Sequence, residues 1–71
     1  LRNFGPVSAE LLYFFGIRSA DEVLNADPYK LFMNLQEFST SPLSRNYLRA
    51  ILGAQQDRHF ADVTIDESRL S

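Results

Sequence analysis

Residues 1–12, LRNFGPVSAELL, predict a tight turn that leads directly into an amphipathic helix. Gly5 and Pro6 stand at the junction, and proline suits the first helical position because its missing N–H needs no partner there. A glycine turn that opens into a helix is typical of the second half of a helix-hairpin-helix, a small module that often binds nucleic-acid backbone. The first question is therefore whether this turn contacts a phosphate or only connects two helices.

The composition limits the chain to one small domain, residues 1–71. It contains no cysteine, which excludes disulfides and thiolate metal sites. No apolar run approaches the length of about 18 residues that a membrane span needs, and no secretory signal is visible, so we expect a cytoplasmic protein that does not contact a membrane. Because the sequence begins at Leu1 and not at methionine, we expect a fragment of a longer protein.

Helix start and stop signals predict an all-α, compact bundle of four to five short helices, helix-hairpin-helix-like or SAM-like. No stretch of the sequence alternates apolar and polar residues at period two, so we expect no strands. The predicted helices run from Gly5-Pro6 to Gly16, from a Ser19-Glu22 capping box to about Asn25, from Asp27-Pro28 to Phe38, from Ser41-Pro42 to about Gln56, and through a short segment behind a Thr64-Glu67 capping box.

Helical spacing assigns one apolar face to each helix. The predicted inner face of the first helix contains Val7, Leu11, Phe14 and Phe15, and Leu12 widens it. Phe38 ends the predicted inner face of the third helix. The fourth helix has the widest apolar arc and should be central, and Gly53 in its interior suggests that another helix crosses closely there. The predicted core is Val7, Leu11, Phe15, Val23, Leu31, Leu35, Leu48, Ile51 and Leu52.

Several short motifs resemble the C-terminal domain of the TfoX family, also called Sxy, which regulates DNA-uptake competence in bacteria. They are NFGPVS at residues 3–8, GIRS at 16–19, NYL at 46–48, GA at 53–54 and HF at 59–60. The resemblance covers the chain from Leu1 to about Thr64. It implies an all-α domain behind an N-terminal α/β domain, a role beside the cyclic-AMP receptor protein at competence promoters, and no enzyme activity.

The chain departs from related patterns at two positions. Turns that bind DNA usually read glycine-hydrophobic-glycine, and here Asn3 takes the first glycine position. Asparagine tolerates a left-handed backbone, but its side chain is expected to stand where a phosphate would approach. Phe60 replaces a tryptophan that is frequent in the family, which should change packing only.

Two interpretations are open for each candidate contact. The Asn3–Ser8 turn either binds phosphate through free N–H groups or only sets a helix angle. Arg45 and Arg49 are either a solvated face or part of a positive patch for DNA or an acidic partner. Tyr13 and Ala9 are either exposed, and so mark a contact, or covered by the rest of the chain. The candidate partner or phosphate contacts are Arg2, Asn3, Gly5, Ser8, Tyr13, Arg18, Arg45 and Arg49.

The sequence gives no positive indication of catalysis. The lone histidine, His59, is expected to cap or pack, because no cysteine or second histidine can complete a metal site with it. Serines and paired carboxylates stand at helix starts, where capping and the helix dipole explain them. We therefore expect no cofactor and no enzyme.

Two functions follow from these observations. The first is a protein-interaction domain of a competence regulator, which acts as a coactivator with the cyclic-AMP receptor protein and also contacts its own N-terminal domain. A net charge of −2 favours this function over strong DNA binding. The alternative is a helix-hairpin-helix module that binds DNA backbone through the Gly5 turn. A weaker option is self-association through the Tyr13 side of the first helix.

Overall fold

A computed structural model describes residues 3–70, and in this range the chain forms four α-helices and no strand. The helices are α1 (Pro6–Phe15), α2 (Ala20–Asn25), α3 (Pro28–Phe38) and α4 (Arg45–Gln56). Two 3₁₀ turns follow, the first at Phe60–Asp62 and the second at Glu67–Leu70. The predicted all-α bundle is confirmed. Its radius of gyration, 11.1 Å, equals the value of about 11 Å expected for a compact chain of this length.

Proline and capping signals place the ends of α1 and α3 where the sequence predicts them. Pro6 begins α1, and Gly16 ends it with φ of 121°, donating its N–H to the carbonyls of Leu12 and Tyr13. A left-handed glycine of this kind closes many helices, since it has no Cβ to clash. Asp27 caps α3 by accepting the N–H groups of Tyr29 and Lys30 at 3.0 and 3.2 Å.

The prediction that α4 begins at Ser41-Pro42 is wrong, because the helix begins at Arg45 behind Ser44. The side chain of Gln36 holds the preceding segment in another conformation. Its Oε1 accepts the N–H of Leu43 at 2.7 Å, and its Nε2 donates to the carbonyl of Ser41 at 3.3 Å. These contacts come from the end of α3, so local sequence signals do not reveal them.

Neither predicted capping box forms. Ser19 makes no side-chain cap, and Glu22 accepts the N–H of Arg18, at 2.9 Å, instead of that of Ser19. The last segment is a single 3₁₀ turn led by Asp66, whose Oδ1 accepts the N–H of Ser68 at 3.2 Å. Thr64 lies too early in the chain to cap this turn. His59, by contrast, acts as the expected cap, since its Nδ1 accepts the N–H of Ala61 at 3.1 Å.

The core lies around α4, which packs against α2, α3 and the first 3₁₀ turn as its wide apolar arc predicts. Its most deeply buried side chains are those of Val23, Leu35, Leu48 and Ile51. Leu31 and Leu52 are also buried as predicted, while Leu11 and Phe15 are only partly buried against the core. Buried hydrophobic residues outside the predicted core list are Leu12, Tyr29, Phe32, Ala50 and Val63.

The predicted inner face of α1 is correct for Leu12, which is buried, and for Leu11 and Phe15, which pack partly buried against the core. It is wrong for Val7 and Phe14, which are 82% and 67% exposed. Almost every side chain of α1 is apolar, so the pattern does not determine which side faces the core. Phe38 of α3 is likewise half exposed, although its ring packs edge-on against that of Phe15 with centroids 5.5 Å apart.

Candidate functional site

The Asn3–Ser8 turn is held by the side chain of Asn3. This residue adopts the left-handed conformation, with φ of 74°. Its Nδ2 donates to the carbonyl of Arg58 at 2.8 Å, and its Oδ1 accepts the N–H of Phe60 at 3.2 Å. The side chain is therefore bonded to the C-terminal part of the fold, and the expectation that it stands in the path of a phosphate stays a prediction.

Gly5 is not the residue that turns the chain. Its φ is −85°, which any residue adopts, and a Cβ added to it would meet nothing within 4 Å. No side chain caps α1 and no acidic residue lies in its first turn. The start of α1 is therefore open to solvent, with its conformation set by Asn3 and Pro6.

Ser8 contributes a backbone contact between α1 and α4. The hydroxyl of Tyr47 donates to the carbonyl of Ser8 at 2.8 Å, and the ring of Phe4 packs edge-on against that of Tyr47 at 5.6 Å. Burial raises the pKa of Tyr47 to about 12, so this donor keeps its proton throughout the physiological pH range. Ser8 thus helps to fix how α1 lies on α4.

Another part of the chain does approach Gly53 closely, but it is not the crossing α-helix that the sequence predicts. A Cβ on Gly53 would lie 2.5 Å from the Asn3 Nδ2 and 2.6 Å from the carbonyl oxygen of Arg58. The neighbour is therefore the turn at the start of the chain together with the turn that follows α4. The prediction of a crossing helix is corrected accordingly.

The exposed side chains of α1 form a largely apolar surface. We call this surface the outward arc, and it comprises Pro6, Val7, Ala9, Glu10, Tyr13 and Phe14. Tyr13 is 56% exposed and Ala9 is also exposed, so the rest of the described chain does not cover them. That they mark a contact with a partner stays a prediction. Glu10 is the one charged residue of α1. The outward arc is thus an apolar surface with a single carboxylate.

An apolar groove of about 430 Å³ adjoins the outward arc. Phe4, Leu12 and Ile17 contribute its apolar lining, and Glu10 and Arg18 also line it. The guanidinium carbon of Arg18 lies 3.9 Å from the centroid of the Tyr13 ring, and its Nη1 donates to the Tyr13 carbonyl. A cation bonded to the last carbonyls of a helix and stacked on an aromatic ring is held in place by both interactions.

The described candidate arginines have different partners. Arg45 forms an ion pair with Glu67 at 3.2 Å, and Arg49 donates to the Oδ1 of Asn46 at 3.1 Å. Arg18 and Arg45 line different grooves, since Arg45 lies beside Phe32 and Leu70. Arg2 lies outside the described residues. The contacts of these side chains therefore do not link Arg18 with Arg45.

Residues 3–70 contain no group of three or more histidine, cysteine, aspartate or glutamate side chains placed to hold a metal ion. Within the same range, no helix has the length and apolar character needed to cross a membrane.

Sequence reasoning missed Val7, Glu10 and Phe14 as parts of a candidate surface, because it assigned Val7 and Phe14 to the inner face. One signal was present. Glu10 is the only charge on α1, and an unpaired carboxylate avoids a core. Its position therefore marks the side of α1 that faces solvent.

No family model, curated protein sequence or solved structure matches the chain. The likeness to TfoX domains therefore stays a hypothesis carried by the short motifs quoted above.

Proposed function

We propose that this chain is a non-enzymatic protein-interaction domain that binds its partner through the outward arc of α1. The observation that carries this proposal is the exposure of Val7 and Phe14, two large apolar side chains on one face of a helix. Contiguous exposed apolar surface on a small domain is a recognised mark of protein interfaces. The aromatic rings of Tyr13 and Phe14 are of the type that contributes most to such interfaces.

The resemblance to TfoX domains supplies a specific role for the proposed interaction. In this role the domain belongs to a cytoplasmic regulator of competence genes and acts as a coactivator with the cyclic-AMP receptor protein. A second partner is the N-terminal domain of the same regulator. The net charge of −2 supports a protein partner over naked DNA, since phosphate binding depends on basic side chains.

Calorimetric titration tests this role. The chain is titrated with the cyclic-AMP receptor protein in the presence of cyclic AMP, and separately with the N-terminal domain of a TfoX protein. We expect binding in the micromolar range that is lost in Phe14→Ser. The matched control is Leu24→Ser, which changes a side chain that is 41% exposed on another helix. Absence of binding to both partners would contradict the competence role.

The second candidate function is non-specific binding of DNA backbone at the start of α1. The observation that favours it is the first turn of α1, which has no side-chain cap and no acidic residue. Anisotropy of a labelled duplex in low salt is the measurement. If phosphates bind here, the logarithm of the affinity should fall linearly with the logarithm of salt concentration. Lack of any anisotropy change at low salt would exclude this function.

A further inference from the structure

We infer that the outward arc of α1 binds an amphipathic helix of a partner protein, and that this helix places one basic side chain opposite Glu10 within an otherwise apolar face. The inference rests on the proposed interaction function and specifies the chemistry of the partner. It follows from the shape of the arc, from its charge and from the contacts of the one basic residue beside it.

The shape of the arc fits a helix. Successive residues of an α-helix are about 100° apart, so the six residues of the arc span about 160° of the circumference of α1. This exceeds the width of about 100° by which a helix usually contacts its neighbour. Val7 and Phe14 are seven residues apart, which is two helical turns, and they provide two apolar anchors on one line. The 430 Å³ groove beside Phe4 and Ile17 adds room for a large side chain of the partner.

The charge of the arc requires a basic counterpart. Glu10 lies between the two anchors, so a partner that covers both anchors also covers this carboxylate. A carboxylate that is removed from water without a cation or a hydrogen-bond donor is strongly unfavourable. No basic residue is present on α1 itself. A lysine or arginine on the partner would supply the missing charge.

Arg18 does not serve this purpose within the chain. It lines the same groove as Glu10, but its guanidinium group is bonded to the Tyr13 carbonyl and stacked on the Tyr13 ring. Arg18 therefore does not neutralise Glu10.

The same charge argues against a second copy of this chain as the occupant. Two copies of α1 packed antiparallel across a two-fold axis bring Val7 of each against Phe14 of the other. The two Glu10 carboxylates then lie near the centre of one apolar interface, and neither copy of α1 has a cation to pair with them. Like charges in such a site repel each other, so a heterologous partner with a basic residue fits better.

Selection from a library of helical peptides tests the inference. Amphipathic helical peptides with one randomised face are displayed on phage and selected on the immobilised chain, and the selected peptides are then titrated in solution. We expect enrichment of large apolar residues together with one lysine or arginine. Phe14→Ser should weaken binding about 30-fold, as truncation of an interface hot spot does. Leu24→Ser should leave the affinity unchanged.

Charge reversal provides the decisive comparison. When the same library is selected on Glu10→Lys, the enriched charge at the corresponding peptide position should change to aspartate or glutamate. Melting temperatures of all variants are measured first, and no large change is expected since Glu10, Phe14 and Leu24 are exposed. Selected peptides without a preferred charge, or with the same charge on both proteins, would overturn the inference.

The remaining outcomes separate this inference from the function on which it rests. Peptides that bind wild type and Phe14→Ser equally would move the binding site away from α1 but leave the interaction function intact. Failure to select any peptide overturns the inference, and together with the absence of binding in the calorimetric titrations it overturns the function too. Sedimentation equilibrium of the chain alone tests for a dimer. If a dimer forms and Phe14→Ser dissociates it, the arc would be assigned to a second copy of the chain.

Discussion

Gly53 is the residue at which the fold is least tolerant of added atoms. It is buried in α4, and glycine in a helix interior costs about 1 kcal/mol relative to alanine. The cost is explained by the Asn3 amide and the Arg58 carbonyl, which lie where a Cβ would be. The Arg58 atom at this position is a backbone oxygen, and it cannot move aside as easily as the end of a flexible side chain.

We expect Gly53→Ala to lower stability, although alanine is the better helix former. Overpacking costs about 1–3 kcal/mol, which exceeds the gain in helix propensity of about 1 kcal/mol. Thermal melting followed by circular dichroism measures the change. Gly5→Ala is the control because the added Cβ meets nothing within 4 Å, and it should shift the melting temperature less. A higher melting temperature for Gly53→Ala would show that the turn at Arg58 is not fixed.

At the scale of elements, α3 is joined to the C-terminal 3₁₀ turn through its first residues. Asp27 accepts two backbone N–H groups of α3 and pairs with Arg69 at 3.4 Å. The guanidinium group of Arg69 lies 4.2 Å from the centroid of the Tyr29 ring, and the Tyr29 hydroxyl accepts the N–H of Asp66 at 3.0 Å. The hydrogen bond from Lys30 N–H lowers the pKa of Asp27, with help from Tyr29 N–H and the charge of Arg69.

This lowered pKa predicts the direction of a pH dependence. The carboxylate is favoured in the folded state, so its contribution to stability is present above the pKa that Asp27 has in the unfolded chain. The contribution is lost as pH falls through the lower pKa of the folded state. Asp27→Asn keeps a helix-capping side chain but removes the charge. Melting curves between about pH 6 and pH 2 should therefore show a shallower acid dependence for Asp27→Asn, and identical slopes would contradict the assignment.

The sequence predicted some elements well because their signals are local. Proline in the first turn placed α1 and α3, and the capping aspartate of α3 acts as expected. The apolar arc of α4 predicted which side of that helix is buried. Almost every side chain of α1 is apolar, and its one charged residue, Glu10, was the only indication of the side that faces solvent. The start of α4 depends on Gln36, a contact between elements that no local pattern encodes.

The candidate site shows the same difference between features that local sequence encodes and features that depend on contacts across the fold. The left-handed backbone of Asn3 was foreseen from its residue type, but its two partners lie 55 and 57 positions away in the sequence. The exposure of Tyr13 was one of two alternatives that the sequence left open. Val7 and Phe14 were assigned to the core, since an apolar side chain is normally expected inside and its exposure depends on the packing of the whole chain.

For the whole molecule, stability is limited by the small size of the core. A domain of this length is typically stable by only about 3–5 kcal/mol. The core depends on a few fully buried side chains, among them Leu48 of α4, which is 0% exposed. The loss of one such side chain is therefore comparable to the total stability.

We expect Leu48→Ala to cost about 2–5 kcal/mol and to leave much of the protein unfolded at room temperature. Leu24→Ala removes the same atoms from an exposed position, 41% accessible, and should cost far less. Urea denaturation followed by circular dichroism distinguishes the two variants. A wild-type transition midpoint in Leu48→Ala would mean that α4 does not present this side to the core.

The hydrogen bonds of Asn3 also affect how the domain folds during translation. The ribosome releases Asn3 first among the described residues, whereas Arg58 and Phe60, which fix its side chain, emerge more than 50 residues later. Until then Tyr47, through its contacts with Phe4 and Ser8, is what links the entry of α1 to α4. The left-handed turn at Asn3 therefore acquires its two hydrogen bonds only after nearly all of the described sequence has been synthesised.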